Sequence, residues 1–245
     1  MDNRLLVLGG GESGIGAAVL AKSKGFDVFL SDANQISAKY KAVLESHQIA
    51  FEEASHDLAL QFKTSLVVKS PGIPSNVKII QKFKSEGASV ISEIEFASYY
   101  TDAFLIAITG SNGKTTTSLL TYHLLKSAGL SVGLAGNVGD SFALQVAENN
   151  FEYYVLEISS FQLDDIQKFR PNISVILNIT PDHLDRYEYS FPNYINSKFK
   201  ITTNQSQEDS LIYFADSLIL NEEIEKRHLE VELFPISLIR RFPQG

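Results

Sequence analysis

Residues 108–116 read "ITGSNGKTT". An apolar run, "AFLIAITG" (103–110), enters a turn of small residues and leaves it through a lysine and two hydroxyls. A strand that feeds a phosphate-binding loop and its helix is written this way. Loop amides cradle phosphate oxygens, the lysine neutralises them, and a hydroxyl reaches Mg²⁺. The common form, G-x-x-x-x-G-K-[ST], has glycine five places before Gly113, where this chain has Ile108. That departure narrows the subclass and leaves the phosphate reading intact. Thr109, Gly110, Ser111, Asn112, Gly113, Lys114, Thr115 and Thr116 are the expected nucleotide-binding residues, with Lys114 catalytic and Thr115 a metal ligand. The helix beginning here adds the positive end of its dipole.

A second glycine loop stands upstream. "GGGESGIG" (9–16) lies between a strand-like "LLVLG" (5–9) and a helix-like stretch from Gly14 to Lys24, and Asp32 closes the next strand, "FDVFLSD" (26–32). Gly9, Gly11 and Gly14 satisfy G-x-G-x-x-G, the dinucleotide fingerprint, with a carboxylate for ribose or base. An NAD-dependent oxidoreductase would need hydride-transfer chemistry in the later half, which supplies a phosphate loop instead. "KSPGIP" (69–74) ends a further strand of the same sheet, and its Pro71–Gly72 turn offers amides to a second phosphate.

Working outward, short apolar runs alternate with helix-like stretches. "SLVVKS" (65–70) and "ASVI" (88–91) complete a first set of strands. After the helix-like "SEIEFASYY" the pattern restarts with 103–110, "LSVGLA" (130–135), "YYVLEIS" (153–159), "ISVILNI" (173–179) and "SLIYF" (210–214). This alternation predicts an α/β chain: a Rossmann-like parallel-sheet domain over 1–92 and a P-loop α/β domain over 93–245, joined near 91–95. The 245 residues include no cysteine and carry a formal charge of -8. Disulfides and thiolate metal sites are thereby excluded, and neither nucleic acid nor an anionic membrane surface is expected as a partner. No apolar run reaches membrane-spanning length, and the first residues meet glycine too soon for a signal peptide, so a cytoplasmic protein is expected.

Two later stretches carry candidate chemistry. "YYVLEISSFQLD" (153–164) puts Glu157 near the end of a very apolar strand, where a carboxylate is costly unless paired or bound to metal. "LNITPDHLDRY" (177–187) brings His183 to the carboxyl end of another strand, the edge at which open α/β sheets bind ligands.

Together with "GNVG" (136–139), these motifs resemble the Mur ligase family of bacterial peptidoglycan synthesis, over nearly the whole chain and in the same order. Their details are most similar to the branch that adds D-glutamate to UDP-N-acetylmuramoyl-L-alanine. The resemblance implies that the first loop holds the UDP portion of the substrate and the second holds ATP. The substrate carboxylate would attack the γ-phosphate, and the incoming amine would displace phosphate from the resulting acyl phosphate. Carried over, Gly11, Glu12, Ser13, Gly14, Asp32, Ser70, Pro71 and Gly72 form the UDP site. Asn137, Ser159, Gln162 and His183 hold the rest of that substrate. Thr115 and Glu157 ligate the Mg²⁺ of ATP, and His183 serves a second Mg²⁺. The family also uses a carbamylated lysine, and "NYINSKFKI" (193–201) offers Lys198 at the matching place. His183 and Lys198 therefore join Lys114 as catalytic candidates. The sequence ends at "RRFPQG", whereas the family's central domain continues and a third domain carries the amino-acid site. The expectation is a chain that binds the UDP-sugar without ligating D-glutamate. A nucleotide-binding module without turnover is the non-enzyme alternative.

Overall fold

The run ahead of the first glycine loop forms β1 (Arg4–Leu8), buried from Leu5 onward, as a central strand of a parallel sheet must be. A computed structural model describes residues 3–242. After β1 come α1 (Glu12–Ser23), β2 (Asp27–Ser31), α2 (Ala38–Ser46), β3 (Ala50–Glu52), β4 (Leu66–Lys69), α3 (Lys78–Ser85), β5 (Ser89–Ser92) and α4 (Glu93–Ser98). The five strands pair in parallel in the order β3-β2-β1-β4-β5.

The pattern then repeats: β6 (Phe104–Thr109), α5 (Lys114–Ser127), β7 (Val132–Gly136), α6 (Phe142–Glu148), β8 (Tyr153–Glu157), α7 (Ser160–Leu163), β9 (Ile173–Ile176), α8 (Phe191–Phe199), β10 (Ser210–Phe214), α9 (Leu218–Arg227) and β11 (Glu232–Ile236). This second sheet is also parallel, ordered β11-β10-β9-β6-β8-β7. In each sheet the chain builds to one side of the loop-bearing strand, β1 or β6, and then crosses to the other. Both glycine loops thus lie at the carboxyl edge where strand order reverses, the place at which such sheets bind ligands.

The compact units do not part at 92/93. One contains the residues up to Thr101 together with Gly139–Asn150 and Asp165–Gln167, and the other contains the rest. The cause lies in α1. Its residues from Gly14 to Ala21 are buried all round, so one face covers the first sheet and the other needs a helix of its own. Helix α6 supplies it so closely that a Cβ on Gly16 would stand 1.9 Å from Ser141 Oγ. Glu93, the first residue of α4, accepts hydrogen bonds from Ser141 Oγ at 2.7 Å and from the Ala143 amide at 2.5 Å, fixing the start of α6. The segment at 165–167 is held by charge and backbone. Lys69 pairs with Asp165 at 2.8 Å, both side chains buried, and Glu95 accepts from the Gln167 amide at 2.9 Å.

Candidate nucleotide sites

In the first unit the three glycines divide their work. Gly9 has φ +104, and a Cβ there would meet Ser70 Oγ at 2.4 Å. At Gly14 a Cβ would lie 1.8 Å from the Gly9 carbonyl oxygen. These two positions are glycine for the sake of strand–helix packing. At Gly11 a Cβ would meet nothing within 4 Å, so this glycine opens backbone to an incoming group, as the middle glycine of the fingerprint does. Asp32 braces the loop: its carboxylate accepts from the Gly10 amide at 2.6 Å and from the Asn34 amide at 2.7 Å. Ser70 Oγ is buried without a partner.

Gly9, Gly11, Asp32, Asn34 and Ser70 border a cavity of about 710 Å³. Of the UDP-site residues expected from sequence, Gly11, Asp32, Ser70 and Gly72 line it, whereas Glu12, Ser13 and Pro71 do not and Gly14 is consumed by packing. The remaining wall includes His56, Leu60, Ile73, Val77 and Lys78. Sequence reading named none of the five: Ile73 sits inside the quoted "KSPGIP" turn, and the others, from the segment after β3 and the approach to and first residue of α3, match no motif.

In the second unit the phosphate loop is pinned from β9. The Ser111 amide donates to the Asn178 carbonyl at 3.0 Å, and the Asn112 amide donates to Asn178 Oδ1 at 2.9 Å. Ser111 Oγ donates to the Thr180 carbonyl at 2.9 Å. Ser111 and Asn112, expected to meet phosphate, therefore spend these groups on shaping the loop. Donors left for an anion include the amides of the first turn of α5, from Lys114 to Thr116, which a helix cannot satisfy internally. Gly113, the residue before it, has φ 82, a conformation glycine adopts without strain. Lys114 Nζ donates to the carbonyls of Gly110 and Ser111, at 3.0 and 3.2 Å.

Glu157 stands beside this loop. It pairs in register with Ile108 across β8 and β6 and is 1% exposed. Its Oε1 accepts from Asn137 Nδ2 at 2.8 Å, while Oε2 is buried without a partner. Gly136 permits the approach, since a Cβ there would lie 2.3 Å from the Glu157 carbonyl oxygen. Asn137, expected at the substrate, is thus the direct partner of the expected metal ligand.

Lys198 is 1% exposed and donates from Nζ to the Gly110 carbonyl at 2.9 Å, the oxygen that Lys114 also uses. Burial, with Lys114 next in effect, pushes its ammonium pKa down to about 7. Helix α8 carries it there, anchored by Ser197 Oγ donating to the Ser160 carbonyl at 2.9 Å. Lys200 turns elsewhere, to the Asp164 carbonyl at 2.8 Å.

Ser159 and Gln162 form a reciprocal capping box on α7: the Gln162 amide donates to Ser159 Oγ and the Ser159 amide to Gln162 Oε1. His183, at φ 49, packs on Phe161 with ring centroids 5.4 Å apart and lies 3.6 Å from Asp182, with its side chain 58% exposed. It makes no hydrogen bond or ion pair with Glu157, Thr115 or Lys198. Among the described residues, no three His, Asp or Glu side chains gather as a metal cage. Mg²⁺ does not require one, as it is commonly held by one or two carboxylates, waters and substrate phosphates.

Residues 108–238 match the family model of the Mur ligase middle domain. The chain belongs to the Mur ligase family. Residues 5–79 also match the model of the MurD N-terminal domain. Among similar proteins, the UDP-N-acetylmuramoylalanine–D-glutamate ligase of Bacteroides fragilis is 56% identical over 97% of this chain and 53% of its own length. The ligase of that name from Christiangramia forsetii is 49% identical over 100% of this chain and 55% of its own length. The chain thus spans about half the length of the curated relatives it matches. Solved Mur ligases share the fold. The UDP-N-acetylmuramate:L-alanyl-gamma-D-glutamyl-meso-diaminopimelate ligase from Neisseria meningitides aligns with a TM-score of 0.67 at 20% identity, over 95% of this chain and 77% of that one. The UDP-N-acetylmuramate-alanine ligase MurC from Thermotoga maritima aligns with a TM-score of 0.57 at 22% identity, over 97% of this chain and 54% of that one. No helix among the described residues is long and apolar enough to cross a membrane.

Proposed function

We propose that this chain supplies the UDP-sugar and ATP sites of a cytoplasmic ligase that joins D-glutamate to UDP-N-acetylmuramoyl-L-alanine in peptidoglycan synthesis. One observation carries the reading: a buried carboxylate oxygen of Glu157, without a donor, beside the strand that feeds a phosphate loop. An uncompensated buried charge is expensive, and a cation meeting it would remove the penalty. The residues therefore fit Mg²⁺, with Glu157 and the exposed Thr115 hydroxyl as its protein ligands. When bound, the metal would screen charge on the ATP phosphates.

Under this reading Lys114 and the first-turn amides of α5 hold the phosphates. The reaction brings a carboxylate to a phosphate, two anions, so cationic screening and fixed positions are what the site must supply. Gly11, Asp32, Ser70 and Gly72 hold the UDP portion, and Asn137 and His183 serve the remainder of the sugar substrate. Ser159 and Gln162 contribute chiefly by forming α7, against which α8 packs.

Lys198 completes the proposal. With its pKa lowered to about 7, a sizeable share of the amine is neutral at neutral pH. The ammonium first gives up its proton; the neutral amine then adds CO₂ and releases a second proton, leaving beside Lys114 an anion that would help hold a second Mg²⁺. Protein incubated with ¹³C-bicarbonate is expected to give a carbamate carbon signal that Lys198→Met lacks. A wild-type spectrum without that signal would refute the modification.

The functional reading is tested by a melting-temperature screen with UDP-N-acetylmuramoyl-L-alanine, ATP with Mg²⁺, and NAD. The first two are expected to stabilise the protein, because they bind the folded state selectively. Stabilisation by NAD and by neither of the others would replace the ligase reading with the oxidoreductase one.

A further inference from the structure

The loop after β3 contributes His56 to the wall of the first cavity, and its ring is held in place by a hydrogen bond to the end of β2. Ser31, fully buried at the end of β2, has its hydroxyl 2.8 Å from Glu52 Oε1 and 2.6 Å from His56 Nδ1. The Glu52 carboxylate is fixed as an acceptor on both oxygens, by the Ala59 amide at 2.7 Å on Oε1 and the Leu58 amide at 2.9 Å on Oε2. The Ser31 hydroxyl points its single proton at oxygen acceptors, Glu52 Oε1 at 2.8 Å and the Ser55 carbonyl at 3.3 Å, which leaves Ser31 Oγ to accept from His56 Nδ1–H. A neutral imidazole with its proton on Nδ1 has a bare Nε2, which can only accept. Nε2 has no partner among the described residues.

Place in the sheet says what Nε2 would meet. The glycine loop follows β1, Asp32 follows β2 and His56 follows β3, on neighbouring strands about 4.8 Å apart. A nucleotide with its phosphates on the glycine loop and its ribose near Asp32 extends its base towards His56. The residues after Asp32, Ala33 and Asn34, carry no charge to read that base.

We propose that His56 reads the base of a nucleoside diphosphate through Nε2, which accepts the imide N–H of a uracil-type ring and opposes the N3 lone pair of cytosine. This rests on the first cavity being the UDP site proposed above. Ser31 and Glu52 act as positioning residues that hold the tautomer.

The test is calorimetric titration of residues 1–245 with UDP, CDP and 3-methyl-UDP. Wild-type protein is expected to prefer UDP over CDP by roughly tenfold or more, the scale of one hydrogen bond gained against one lone-pair clash, and to bind 3-methyl-UDP as weakly as CDP. His56→Phe keeps a planar ring without an acceptor and should bring the UDP/CDP ratio to about one, mainly through weaker UDP binding. Ser31→Ala frees the ring to move its proton and should lower the ratio although His56 remains, an effect that a merely structural histidine would not show. Melting curves establish that each variant is folded. An unchanged ratio in folded His56→Phe, or equal weakening of UDP and CDP, overturns base reading while leaving the UDP site standing. Failure of wild-type protein to bind UDP or the UDP-sugar removes both.

Discussion

Replacing Glu157 with glutamine is expected to abolish most of the gain in ATP affinity that Mg²⁺ provides, while leaving the metal-free protein about as stable. Oε1 is bonded to Asn137, and the glutamine carbonyl can keep that bond. What the substitution removes is the charge on Oε2, which is buried and unpartnered. In the ligand-free protein loss of that charge removes a desolvation penalty, which offsets the cost of an unpartnered amide at the Oε2 position, so the melting temperature should change little. Under the proposed function the same charge would become a ligand when ATP and Mg²⁺ bind. Losing one charge-assisted contact of this kind should weaken Mg²⁺-dependent ATP binding by roughly 10- to 100-fold. Titrations with ATP in Mg²⁺ and in chelator, on wild type and variant, read the effect directly. A full Mg²⁺ response in the variant would place the metal elsewhere.

The second large effect concerns stability rather than ligands. Glu93 is completely buried, and burial raises its pKa from 4.5 to about 7, against the lowering effect of bonds from the Ala143 amide and Ser141. Glu12 and the Phe142 amide are the other groups acting on it. From pH 4.5 to about 7 the folded state keeps a proton that the unfolded chain has shed. Stability therefore falls as pH rises through that window, and the cost is fully present above 7. The shift corresponds to roughly 3 kcal/mol. Glu93→Gln keeps an acceptor for Ser141 and Ala143 but places an amide where Oε2 has no partner, which reduces the expected gain to about 2 kcal/mol. Denaturant unfolding should show the variant more stable at pH 8 and no better at pH 4. A gap of equal size at both values would assign the effect to packing instead of charge.

The parts of this molecule legible in the sequence were those where one local signal suffices. The apolar runs leading into 9–16 and 108–116 became β1 and β6, each with its loop and helix. Strand β3 was missed because three residues, none buried, carry too little pattern. Strand β11 was missed because "ELFPI" holds Pro235, which an edge strand tolerates and a central one does not. The composition of the compact units has a different source. Residues 139–150 join the first unit through packing on α1, and the only local hint was that "GIGAAVLA" is apolar all round. Ser159 and Gln162 were readable as a capping box from S-x-x-Q spacing. His56 had no local signal, since its partners Ser31 and Glu52 reach it only through the sheet.

We propose that two separate nucleotide sites share this chain, the UDP-sugar on the first glycine loop and ATP–Mg²⁺ on the second. The direct measurement is calorimetry of both ligands on Lys114→Ala. Lys114 Nζ hydrogen-bonds to carbonyls of its own loop, whereas the residues lining the first cavity belong to the other unit. Affinity for UDP-N-acetylmuramoyl-L-alanine should stay within about twofold of wild type, and ATP–Mg²⁺ affinity should fall roughly 10- to 100-fold. Parallel loss of both in a folded variant, or retention of ATP–Mg²⁺ affinity, would contradict the claim.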